Sequence, residues 1–274
     1  PDMPNDWPAW EIDYDDICAP PQIVSGPAQI KIIDSGPVRV RLEIVRSYAG
    51  SKYTQRVSLS AGEAGTRVMF DSIIDWKTKA SLVKSVFPLN VSNDKAMYDL
   101  GLGAIARGNN TDRKYEVPAQ QWAELTDKTG DYGIAIMNDC KYGWDKPNNN
   151  TLRLTLVRTP GSGGYPDQYT MDFGKHKMAY ALSGHQGDVL TGKVNWEAAA
   201  FNQKLLAFQP PVHDGKLGKS FSFLKINTPL VAVKALKQAE NSNETILRLQ
   251  NLSKEPVQNV TVELAGKIIS AREL

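Results

Sequence analysis

The sequence is poor in cysteine and histidine, nearly neutral, and without a long apolar run. Cys18 and Cys140 are its only cysteines. Two thiols make no disulfide framework, and spacing does not say whether they pair. The three histidines, His176, His185 and His213, fall on separate segments. Zinc sites are commonly spaced as Cys-x-x-Cys or His-Glu-x-x-His; neither occurs, so no metal site is expected within this chain. With 32 basic and 30 acidic side chains the net charge is +2. Without an arginine run or an RNP-type motif, no nucleic-acid partner is expected. No apolar stretch approaches the ~20 residues of a membrane-spanning helix, so no membrane partner is expected either. The opening "PDMPNDWPAWEIDYDD" is acidic and aromatic, unlike a signal peptide. Its Pro-Asp start without Met reads as an excised piece.

What is present is period-two alternation in a chain of 274 residues, 41% hydrophobic and 23% charged, which is ordinary globular composition. "VRVRLEIV" sets Val38, Val40, Leu42 and Ile44 on one face and Arg39, Arg41 and Glu43 on the other. "LRLTLVR" sets Leu152, Leu154 and Leu156 against Arg153 and Thr155. Further strands are expected over 66–76, 82–91, 96–106, 133–137, 178–182, 221–226, 230–236, 245–249 and 257–264. Clusters such as "ARGNNTD", "DKPNNN" and "TPGSGGYPD" punctuate them. One short helix is expected, over 196–206, and the terminal "KIISAREL" reads as a strand. Many strands without intervening helices predict an all-β fold of antiparallel sheets packed face to face. The Pro- and Gly-broken stretch at 207–220 divides it into a large portion, 1–208, and a smaller β portion, 209–274, expected to pack on it.

No Gly-x-Ser-x-Gly elbow is present, and "DLGLGAIARG" reads as an alternating strand rather than a phosphate loop. Asp71 and Asp75 share a strand face, where exposed acids mostly serve solvation. Five of the six tryptophans are expected to pack; Trp144, in a turn beside Tyr142, is the best candidate for a sugar platform. The densest collection of chemistry is "NDCKYGWD", 138–145, after an apolar strand. Loops held on rigid strands are where function concentrates.

"YGIAIMNDCKYGWD", 132–145, closely resembles the "YGVALLNDCKYG" motif of the glycoside hydrolase family 38 α-mannosidases, in their cytosolic and bacterial form. Other segments follow in the family's order. "KSVFPLNV" is similar to its K-x-x-F-P strand, and "YEVPAQQWAEL" to its F-E-V-P-A-H-R-W-x-D-L. "LRLTLVRTP" resembles L-R-L-S-L-L-R-x-P, "DFGKHKMAYAL" resembles D-x-G-x-H-x-F-x-Y-A-L, and "VKALKQAENSNETILRLQN" the closing V-K-x-A-E-D…L-I-L-R-L. The match spans nearly the whole chain. In "DMPNDWPAWEID" Pro8 replaces the usual acid of the D-x-P-x-x-W-D-A-W-D junction, and Gln120 stands where the family commonly has His, so neither role transfers.

The resemblance implies a C-terminal region: a large supersandwich of the galactose-mutarotase type with a smaller sheet attached. The partners it implies are an N-terminal catalytic barrel of the same polypeptide and an α-mannoside glycan. A homo-oligomer is compatible with it, and compartment is open. Zinc, an aspartate nucleophile and an acid/base carboxylate would belong to the barrel, so no catalytic residue and no metal ligand is assigned here. Candidates for the substrate cleft are Asp139, Lys141, Tyr142, Trp144, Asp172 and His176. A plainer account of the corner is that Asn138 and Asp139 cap the turn, Lys141 is solvated and Tyr142 packs beneath it. An alternative from another class is a stand-alone carbohydrate-binding module stacking sugar on Trp144 or Tyr165, and a third is a purely structural domain.

Overall fold

The computed structural model describes residues 1–274, except for the side chain of Asp167, and separates into two compact units, 1–203 and 204–274. The regular structure is almost all antiparallel sheet, as the alternation predicts. After a short helix α1 (Tyr14–Cys18), the first unit carries β1 (Gln29–Ser35), β2 (Arg39–Tyr48), β3 (Ser51–Ser60) and β4 (Val68–Trp76). Next come β5 (Ser81–Pro88), β6 (Ala96–Asp99), β7 (Ala104–Arg107), β8 (Val117–Pro118) and β9 (Trp122–Thr126). It ends with β10 (Tyr132–Asn138), β11 (Gly143–Asn148), β12 (Thr151–Thr159), β13 (Gly174–Gln186) and the helix α2 (Val194–Asn202).

These strands form two layers. The larger sheet has nine strands in the order β1-β2-β3-β4-β13-β10-β9-β6-β7, and the smaller has four, β5-β12-β11-β8. Their facing side chains make the main core, with Trp76, Tyr98, Leu125, Ile136, Trp144, Leu152 and Leu154 all but fully buried. The far face of the large sheet is closed by α2, whose Val194, Ala198 and Phe201 pack on Trp122, Ala135, Met137 and Ala181. A strand covered on both faces loses its polar alternation. That is why β10 reads "YGIAIMN": Ile134 and Ile136 face the main core, Ala135 and Met137 the helix.

Several local expectations are corrected. The run 96–106 is not one strand: Gly101 and Gly103, at φ 84° and 117°, turn it into the β6–β7 hairpin. The helix begins at Val194 and stops at Asn202. Trp144 lies on β11, opposite Leu154, not in a turn. In the second unit β14 (Leu224–Ile226) pairs with β17 (Val262–Leu264), and β15 (Val231–Gln238) with β16 (Thr245–Asn251). "KIISAREL" forms no strand; its Ile268 and Ile269 are exposed.

Candidate functional site

The 138–143 corner is held from below. Asn138 is buried where β10 ends; its Oδ1 accepts from Lys141 N at 2.8 Å and its Nδ2 donates to Gln120 O at 3.0 Å. Asn202 Nδ2, on α2, donates to its carbonyl at 3.1 Å. Asp139 extends the ladder to β13 by one step: its N donates to Ala179 O at 3.1 Å and its Oδ1 accepts from Ala179 N at 2.9 Å. The Cys140 thiol, exposed at the corner, is pushed up to about 11 by partial burial and by the Asp139 carboxylate beside it. Lys141 is half-buried, and among the described residues its ammonium makes no ion pair. Tyr142 is exposed rather than packed beneath the turn.

The other candidates are placed differently. Trp144 is fully buried, its indole Nε1 without a partner, so it offers no face to a sugar. Asp172 sits at φ 57° before β13, and its carbonyl meets His176 Nε2 at 2.5 Å. No hydrogen bond among the described residues joins that pair to the corner, though Cys140 Sγ approaches Lys177 O, next to His176, at 3.8 Å.

Sequence reasoning did not single out the polar cluster that the fold assembles on the outer face of the small sheet. Lys84 Nζ contacts Glu116 and lies 2.8 Å from both Asp145 Oδ1 and Thr155 Oγ1. Arg153 grips Asp145 with Nε at 2.8 Å and Nη2 at 2.5 Å, and Asn110 Nδ2 donates to Asp145 Oδ2 at 2.8 Å. Burial alone would raise the Asp145 carboxyl, but Lys84 and Arg153 outweigh it and hold the group below its ordinary value. Thr155 donates to Glu116, and Gly143 leaves the room: a Cβ there would lie 2.4 Å from Glu116 Oε1. The four charged residues come one each from "KSVFP", "YEVPA", "NDCKYGWD" and "LRLTLVR". Nothing in the four segments taken singly joins these charges, and only the sheet pairing shows that they are one network.

The network is buried because the first nineteen residues cross over it. Arg158 binds Asp2, Nε to Oδ2 at 2.8 Å, and donates to Glu11 O. Tyr115 Oη donates to Ile12 O at 2.8 Å, and Arg153 Nη2 reaches Ile17 O at 3.4 Å. On this strap Trp7 and Trp10 stack at 5.9 Å and remain exposed. A further buried cation, Lys146, ties the loops at Asn93 and Asn109 to the end of β11 through Asn93 O, Asn109 Oδ1 and Asn148 O; burial pushes it down to about 8. Among the described residues no three His, Cys, Asp or Glu side chains are gathered as a metal would need.

Fold and network together define a two-layer antiparallel β-sandwich domain with a strapped outer face. The chain belongs to glycoside hydrolase family 38: the family model "Glycosyl hydrolases family 38 C-terminal domain" matches residues 1–169, and "Glycosyl hydrolases family 38 C-terminal beta sandwich domain" matches 230–274. It is 30% identical to "Alpha-mannosidase 2C1" of Mus musculus over 258 residues, 90% of this chain and 24% of that protein. It is 27% identical to "Alpha-mannosidase G" of Dictyostelium discoideum, over 89% of this chain and 22% of that protein. A solved family 38 protein from Enterococcus faecalis superposes with a TM-score of 0.74 at 17% identity, covering 86% of this chain and 32% of its own. The chain thus spans about a quarter of the length of the curated relatives it matches.

Proposed function

We propose that the chain is the C-terminal part of a zinc-dependent, retaining α-mannosidase acting on terminal α-mannosides of glycans, with the catalytic barrel in preceding polypeptide. The observation that carries this is the alignment with proteins named α-mannosidases over nine-tenths of this chain and only a quarter of theirs. The three histidines here support the division of labour: His176 bonds its own loop, His185 faces Glu124, and His213 lies in the second unit. They do not fit a zinc site, so the ion is assigned to the barrel and no step is routed through it here. The chain's own contribution is a rigid corner. Asn138 and Asp139 are occupied with holding it, which leaves the Lys141 ammonium and the Tyr142 hydroxyl to meet glycan hydroxyls. On this reading Asp172 and His176 shape the loop before β13, and Trp144 supports the corner from the core.

The test is made on the longer polypeptide. Release of an aryl α-mannoside should require zinc, and Lys141→Ala should lower kcat/KM about ten- to a hundredfold, the size of one hydrogen bond to a charged group. Pure chain 1–274 should release none, with or without added zinc. Activity in that chain alone, or zinc-independent release by the longer one, overturns the reading. The exposed Trp7–Trp10 pair favours the alternative, sugar binding without a barrel. Equal glycan affinity of the short and long chains would support that alternative instead.

A further inference from the structure

The core-facing side of the large sheet runs on beyond its cover. Phe70 on β4, stacked on Tyr180 at 5.2 Å, marks the last covered row. Opposite it in register stand Val57, then Leu42, then Ile32; the neighbouring rows bring Ile44 beside Ile30 and Leu59 beside Val40. All lie on the face that forms the core under β5 and β12, yet Ile32 is 68% exposed, Ile30 61%, Val40 50% and Leu59 48%. The opposite face of the same strands is charged, with Lys31, Arg41, Glu43 and Arg56. A contiguous apolar face backed by a charged one is the pattern of a layer awaiting a partner, not of scattered surface apolars. Strand addition is not the mode it suits, because β1 carries a bulge between Ile32 and Asp34, Lys31, and Pro37 just beyond its end. The partner should pack face-on.

We propose that this ledge on β1–β3 is the docking surface for the polypeptide that precedes Pro1. The inference rests on the reading above that such a polypeptide exists, and the relatives' lengths supply it: about three-quarters of each lies outside the region matched here. The entry point supports it. Asp2 is pinned by its N to Ala80 O at 3.0 Å, close in sequence to Thr78, whose hydroxyl meets Ser51 Oγ at 2.7 Å at the β2–β3 turn. Polypeptide joined to Pro1 therefore arrives on the β2–β3-turn side of the large sheet, from which the ledge begins four residues back along β2 from Tyr48, at Ile44. On the same side Tyr48 hydrogen-bonds Gln22 at 2.9 Å and Arg46 donates to Gly26 O.

Hydroxyl-radical footprinting tests this without any substitution. In the longer polypeptide Ile30, Ile32, Val40 and Leu59 should be modified about tenfold less than in chain 1–274, as expected for an interface core from which water is excluded. Equal modification in the two overturns the proposal, and if that longer polypeptide still hydrolyses an aryl α-mannoside, the mannosidase reading survives. Protection without hydrolysis keeps the docking surface and removes the mannosidase reading. Protection that appears in chain 1–274 alone as its concentration rises assigns the ledge to a second copy and overturns the proposal.

Discussion

Lys84, Glu116, Asp145 and Arg153 are charged and covered, whereas Ile30, Ile32, Val40 and Leu59 are apolar and open to water. Apart from Glu116, which stands just before β8, both sets sit on strands. Which of them is buried is decided by what lies over the face: residues 1–19 in the first case, nothing within the first unit in the second. A buried charge is tolerable only when paired and hydrogen-bonded, so the strap and the network need each other. The ledge, in contrast, asks nothing of the unit it belongs to.

The comparison breaks most visibly at Asp145. Asp145→Ala leaves Lys84 and Arg153 buried without their shared acid and should cost about 3–5 kcal/mol in chemical denaturation. Gly143→Ala should cost about 1–3 kcal/mol, because its Cβ must displace a Glu116 carboxylate held by Lys84 and Thr155. A smaller effect separates the network from another covered pair, His185 and Glu124, 3.4 Å apart. Burial alone would lower the His185 pKa, but Glu124 raises it above the usual 6.5. Its stabilisation is therefore complete below about pH 6.5 and lost as pH rises through the folded value. Asp145 behaves oppositely: its pKa is depressed, so its contribution is present above about pH 4 and lost as pH falls through the folded value. Denaturation midpoints across pH should show His185→Gln removing the alkaline loss and leaving the acid one. The smallest effect is expected on the ledge, where Ile32→Ser in chain 1–274 should stay within about 0.5 kcal/mol of the parent. A larger loss there would mean that the face is already covered.

The all-β class was legible because alternation is local, and the 138–143 corner because its side chains are unusual neighbours. The ledge was half legible: "VRVRLEIV" gives its two faces, but nothing in the string says that one of them is left bare. Trp144 misled because a turn composition precedes it by a single residue, and one step along a strand reverses the direction of a side chain. The network was out of reach for a different reason. Asp145 and Arg153 meet across one hairpin, but Lys84 and Glu116 join them through pairings with segments far away in sequence, and alternation carries no information about partners. The closing "KIISAREL" shows the converse, strand-like composition that forms no strand.

The strap also sets an order of events. Asp2 contacts Arg158, and Ile17 contacts Arg153, across separations of 156 and 136 residues. Loops of that length close late, since their closure must wait for the contacts that reward it. During synthesis the strap emerges before β11 and β12 and waits until they have left the ribosome, its stacked tryptophans in water meanwhile. The small sheet's charges therefore meet before their lid does, and the strap docks onto strands made more than a hundred residues after it.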